Sequence, residues 1–370
     1  MRWTVSLGLL VLTTGVVLGK SILGEIGLAA DSKPLKATSD CAQSSAPLRV
    51  DKLDVLLDRI VPVGAVMECV ATGYTWTEGP VWTEGGLFFA DIPANRILKW
   101  TPGRVAETFL QPSGYTGAAA YGGPEPGSNG MTLDTRGRIT VAGHAQRNVY
   151  RFESLKAGTD VTVLADSYQG KQLNSPNDLV YRSDGSLYFT DPPYGFRTQK
   201  DNDPEKQLEM NGVYRIPRAL QQKAGATPAR AELQLLIADL PRPNGLAFSP
   251  DEKYLYVANS EPKKFWMRYQ VEKDGSLKDG KLFYDASSDP RPGNPDGVKV
   301  DVQGNLYGAG PGGVWIFSPE GKPLGTILLG EKVANLTWAG ADRMMLYITA
   351  STSVYRVKLM IAGMPLLHGH

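Results

Sequence analysis

The chain has 370 residues, with 39 Lys and Arg against 38 Asp and Glu and a formal net charge of +1. That balance excludes the strongly basic surface that holds nucleic acid or an anionic membrane, so neither is expected as a partner. Hydrophobic residues at 42% allow a large packed core, while 41 Gly and 26 Pro argue against a helical bundle and for a chain of tight turns.

The N-terminus reads apart from the rest. Met1-Arg2 supplies positive charge, Ser6 to Gly19 is apolar with no charge until Lys20, and a Leu-Ala-Ala run ends at Ala30. This order predicts a secretory signal peptide over 1–30 and a protein exported to the periplasm or secreted. The alternative is an uncleaved anchor, but the apolar run is shorter than the ~20 residues a bilayer span needs. Once the leader is removed, no membrane attachment is expected. Residues 31–55 then read as a flexible lead-in, and 361–370 as a C-terminal tail. Cys41 and Cys69 are the two cysteines of the chain. Export favours a disulfide between them over two separate thiols.

From 56 to 360 one unit recurs. It consists of a polar residue, usually a glycine, a short apolar strand, a turn and a second apolar strand. Glu78-Gly79-Pro80-Val81 leads to Leu87-Phe88-Phe89, and Asn129-Gly130-Met131 to Ile139-Thr140-Val141. Asn177-Asp178-Leu179 leads to Leu187-Tyr188-Phe189, and Asn244-Gly245-Leu246 to Leu255-Tyr256-Val257. Asp296-Gly297-Val298 leads to Leu306-Tyr307, and a weaker copy runs from Asn335-Leu336-Thr337 to Leu346-Tyr347-Ile348. Third and fourth strand-like pieces often follow, and the period of roughly 40 to 65 residues is that of four-stranded propeller blades. The predicted fold is all-β: a six-bladed β-propeller with four-stranded antiparallel blades around a central channel. A strand near 65–72 is expected to complete the last blade, since closure removes exposed sheet edges.

In such a ring the innermost strands line the channel and equivalent positions share a height. The six polar starts, Glu78, Asn129, Asn177, Asn244, Asp296 and Asn335, are therefore expected to converge at one end. Carboxylates and amides without His or Cys suit a hard divalent cation. Calcium fits best because it accepts irregular oxygen shells; zinc, magnesium and manganese are alternatives. Turn formation alone would explain the glycines and Asn335, but not Glu78. Asp91, Asp191 and Asn259, at the ends of second strands, are expected to cap loop amides.

The ordered set Glu78-Gly79-Pro80-Val81-Trp82, Ser175-Pro176-Asn177-Asp178, Arg242-Pro243-Asn244-Gly245 and Asn294-Pro295-Asp296-Gly297 resembles the gluconolactonase / senescence marker protein (regucalcin) family. The resemblance spans about 72–358. It implies a six-bladed propeller holding a divalent cation, often calcium, and hydrolysis of a small lactone. It also implies Glu78, Asn244 and Asp296 as direct metal ligands, with Asn177 beside the ion or substrate and Asp296 as candidate base. Ser175 stands where related sugar lactonases carry an Arg, which leaves the lactone open.

Lactone hydrolysis adds water to an ester carbonyl through an oxyanion. A bound cation stabilises that charge and a carboxylate such as Asp296 accepts the proton of water. His144, after the second strand of the second blade, is a candidate proton shuttle, and Asn129 a candidate substrate contact. Residues 111–127, rich in Gly and Ala, form a candidate lid. Trp76, Trp82, Tyr194 and Trp266 are candidate pocket walls or blade packing. Two other functions stay open: a non-catalytic propeller that binds a peptide or protein partner, and an esterase or phosphotriesterase at the same site. Oligomeric state is not legible. The sequon Asn335-Leu336-Thr337 reads as a coincidence at a channel position.

Overall fold

A computed structural model describes Met1 and residues 44–156, 160–228 and 232–365. The expected signal peptide, Cys41, most of the lead-in and the last five residues lie outside the described residues. Cys69 is disulfide-bonded. Among the described residues no helix is long and apolar enough to cross a membrane.

Alternation of apolar residues and short turns gives six antiparallel blade sheets, five with four consecutive strands and the sixth completed by a strand from earlier in the chain. Blade 1 comprises Thr77–Thr83, Gly86–Asp91, Arg96–Trp100 and Glu107–Leu110. Blades 2 to 4 repeat that order and start from Met131–Leu133, Leu179–Tyr181 and Pro243–Phe248. Blade 5 runs from Val298–Val300 to Pro323–Leu328. Blade 6 comprises Val333–Ala339, Met345–Ala350 and Ser353–Lys358, and its fourth strand is Val66–Thr72 from the other end of the chain. The closing strand therefore lies where the sequence placed it.

The lead-in is more structured than expected. Ser45–Pro47 pairs with Val66–Thr72 as a fifth strand of blade 6, and Val50–Lys52 pairs with Pro323–Leu328 as a fifth strand of blade 5. A short 3₁₀ turn, Val55–Arg59, follows, capped by Asp54 and seated through Leu57. Three-residue strands such as Ser45-Ala46-Pro47 and Val50-Asp51-Lys52 carry too little alternation to be read from sequence. The tail also begins packed: Ile361 is buried and Gly363 bridges to Asp301.

The buried apolar residues fall into six clusters, and each fills one interface between neighbouring blades. Val81 and Phe88 of blade 1 meet Met131 and Val141 of blade 2. Leu87 and Phe89 on the opposite face of blade 1 meet Tyr347 and Val354 of blade 6. A strand inside a blade is thus buried on both faces, which explains the near-continuous apolar runs such as Leu187–Asp191. An open sandwich would leave two sheet faces or edges uncovered. Here the sixth interface is filled like the other five, and the ring is closed.

Candidate functional site

The polar starts meet because the inner strands crowd at one end of the channel. A Cβ built on Gly79 would fall 2.3 Å from the Asn129 carbonyl oxygen, and one on Gly130 would fall 2.5 Å from that of Asn177. On Gly245 it would fall 2.2 Å from the Asp296 carbonyl oxygen, and on Gly297 2.1 Å from the Asn335 side chain. Each such glycine lets one blade's backbone touch the polar start of the next. Gly79 alone among the four has the positive φ that a turn role would require. The recurrent glycine is therefore a close-approach residue rather than a turn former. Asn335 closes the circle: its Nδ2 donates to Glu78 Oε2 at 3.1 Å and to Asp178 Oδ2 at 3.2 Å.

The donor set fits a hard cation. Asn244 is 5% exposed; its Nδ2 donates to Ser260 Oγ at 3.0 Å, and Ser260 in turn donates to the Pro295 carbonyl at 2.7 Å. That chain fixes the amide so that Asn244 Oδ1 is left buried without a donor, as is Asn129 Oδ1. A buried acceptor with no partner costs about 1–3 kcal/mol, which a cation would relieve. Glu78 and Asp296 lie close enough to interact directly. Both carboxyls are pushed above their usual range, first by burial; for Glu78 the next cause is Asp178, and for Asp296 it is Glu78. Burial also raises Asp178. Lys299 is the cation that tempers Glu78 and Asp178, and its Nζ donates to Asn335 Oδ1 at 3.2 Å. No group of three or more His, Cys, Asp or Glu positioned to hold a metal occurs among the described residues. The candidate set has two carboxylates, with amide oxygens completing it.

At the rim, the two ring nitrogens of His144 face Pro176 O at 3.1 Å and Glu125 Oε2 at 2.8 Å. The ring itself is fully buried. Ser175 is buried too; its hydroxyl donates to Pro192 O and accepts from Gly195 N at 2.8 Å, so it shapes the loop over blade 3. Asp91 accepts from the amides of Thr75 and Trp76, Asp191 from that of Asn174, and Asn259 from that of Arg242, the capping role expected of them. Trp266 is fully buried between blades 4 and 5 and walls no pocket. Trp82 stacks on Tyr347 in the blade 1–6 interface. Asn335 is only 2% exposed, which bars a glycan there.

Residues 111–127 are pinned. Asn95 accepts from the amides of Ser113 and Gly114 and donates to Tyr115 O; Tyr121 donates to Gly195 O. Four site residues escaped the sequence reading: Asp178, Lys299, Ser260 and Glu125. Asp178 was visible as the one acidic residue where four other blades carry glycine beside a polar start. Lys299, Ser260 and Glu125 carry no repeat signal, because they enter the site from a strand interior and from loops.

A family model described as SMP-30/Gluconolactonase/LRE-like region matches residues 76–352. A gluconolactonase of Zymomonas mobilis is 38% identical over 326 residues, 85% of this chain and 87% of that protein. The lactonohydrolase oryL of Aspergillus oryzae is 26% identical over 249 residues, 61% of this chain and 53% of that one. Among solved structures, a gluconolactonase of Xanthomonas campestris aligns at a TM-score of 0.70 and 30% identity, over 85% of this chain and 95% of the other.

Proposed function

The chain belongs to the SMP-30/gluconolactonase/LRE-like family, and on that premise we propose that it hydrolyses a small lactone with the help of one divalent cation, calcium, at the crowded end of the channel. Glu78, Asn244 and Asp296 would hold the ion, with Asn177 beside it. The observation that carries this reading is the orphaned Asn244 Oδ1, fixed by Ser260 and buried where Gly245 packs against the backbone of Asp296. When bound, the cation supplies Lewis-acid stabilisation of the carbonyl oxygen, worth several kcal/mol of developing charge.

The chain's own groups supply the rest. Asp296 is half-buried and flanked by Glu78 and Asp178, so an added proton is favoured there. It is the base that takes a proton from the attacking water. Asn335 holds Glu78 through one amide hydrogen and Asp178 through the other, which stops either carboxylate from swinging away. Asn129 and Asn177, both 4% exposed, provide short rigid amides for substrate oxygens. A purely peptide-binding propeller leaves this buried acidic cluster without a purpose.

The test is turnover of a lactone panel, gluconolactone included, with EDTA and calcium add-back. Chelation should abolish activity and calcium restore it. Asp296→Asn keeps a ligand oxygen but loses the base, so kcat should fall about 10²–10⁴-fold. Turnover that survives both treatments would overturn the proposal.

A further inference from the structure

We propose that Glu125, held by His144, is the acid that protonates the ring oxygen as the lactone opens. This rests on the lactone-hydrolase reading above and adds a residue to it. Glu125 sits on the segment that joins blade 1 to blade 2. Tyr115 N donates to Pro126 O at 2.7 Å, and Gly127 N donates to Ile92 O at 3.0 Å. These bonds brace both sides of Glu125. Gly127 O also accepts from Ala145 N, next to His144.

The hydrogen bonds fix where protons lie. Pro176 O only accepts, so His144 Nδ1 carries a hydrogen towards it. His144 Nε2 lies 2.8 Å from Glu125 Oε2, and a contact that short needs one proton between nitrogen and oxygen. The pair therefore holds one proton more than a neutral imidazole beside a carboxylate. The imidazole is wholly buried, while the Glu125 side chain is 22% exposed. The stored proton can leave only by way of Glu125.

Its destination follows from location. Pro176, which anchors the ring, directly precedes Asn177, and Asn129 N donates to Ala142 O two residues before His144. Gly130, beside Asn129, packs against Asp178, and Asn335 ties Asp178 to Glu78, so the pair borders the same end of the channel. Asp296 takes a proton from water as the water oxygen bonds to the carbonyl carbon. The bond between that carbon and the ring oxygen then breaks, its electron pair going to the oxygen. The proton from Glu125 passes to that oxygen and leaves a hydroxyl. The Glu125–His144 pair regains a proton from solvent and Asp296 releases one. One lactone and one water thus give one hydroxycarboxylate and one proton. Glu125 is the catalytic residue of this step and His144 a positioning residue.

An acid matters most when the departing oxygen is a poor leaving group. Wild type and Glu125→Gln should be compared on δ-valerolactone, which releases an alkoxide, and on dihydrocoumarin, which releases a phenolate. Glutamine keeps a hydrogen bond to His144 but holds no transferable proton. Loss of about 10²–10⁴-fold in kcat on the alkyl lactone, and under about tenfold on the aryl lactone, is expected with an unchanged melting temperature. His144→Asn should show the same split, which a merely structural role would not produce. Equal losses on both lactones, or none on either, overturn the assignment. Wild-type protein inert to both overturns the hydrolase reading as well, an outcome distinct from an active enzyme indifferent to Glu125.

Discussion

Gly297→Ala tests the crowding of the inner strands directly. The added methyl would sit 2.1 Å from both Cγ and Oδ1 of Asn335 and 2.7 Å from its Cα. Asn335 cannot step aside cheaply. It bonds Glu78, Asp178 and Lys299 through its side chain, and its Oδ1 also accepts from Leu336 N. Overpacking alone costs about 1–3 kcal/mol. Loss of one hydrogen bond to a charged group adds about 1.5–3 kcal/mol. The expected destabilisation is therefore about 2.5–6 kcal/mol, with calcium affinity weakened because Glu78 loses its clamp. Gly137→Ala is the control: its φ is +74°, but nothing lies within 4 Å of the new methyl, so only about 1 kcal/mol of backbone strain is expected. Urea unfolding of the two variants and wild type reads the difference, and calorimetric titration reads the ion. Gly297→Ala within 1 kcal/mol of Gly137→Ala, with unchanged calcium binding, would refute the close-approach account.

Saturating calcium should raise the melting temperature of the wild type relative to EDTA, with about 2.7 kcal/mol of stabilisation at a hundredfold excess over Kd. Asn244→Leu should abolish that shift while lactone binding is left out of the measurement altogether. Asp191 is fully buried, and burial raises its carboxyl from the usual 3.8 to about 7. The folded state thus holds a proton that the unfolded state has already lost, and stability should fall as pH rises from about 4 to about 7, by up to about 4 kcal/mol. Asp191→Asn should remove that slope, as read by urea midpoints at pH 4.5 and pH 8; an unchanged slope would assign it to other groups.

The repeat made most of the fold legible. Six polar starts, each followed by paired apolar runs, encode six inner hairpins, and a closed ring is the arrangement that buries both faces of every blade. The closing strand was legible for the same reason, since a ring with three strands in its last blade would expose an edge. The fifth strands at Ser45–Pro47 and Val50–Lys52 were not, because their side chains are exposed and bear no alternation. The site divides similarly. Glu78, Asn129, Asn244 and Asp296 announce themselves by register within the repeat. Glu125 does not: what defines it is a contact with His144 across a connecting segment. The packing role of the glycines was not legible, because Asn-Gly is a turn signal in isolation and a packing device only once neighbouring blades are in view.

The last blade binds an early stretch of the polypeptide to a late one: residues 45–47 and 66–72 supply its two outer rungs and residues 333–358 the rest. A ribosome releases those outer rungs first and the three inner strands last. During synthesis these early rungs must wait with one edge unpaired while five blades form behind them, and the growing assembly carries that open edge until the final hairpin emerges. Joining the present termini and cutting the chain between two other blades would move that vulnerable seam elsewhere around the circle without altering one interface.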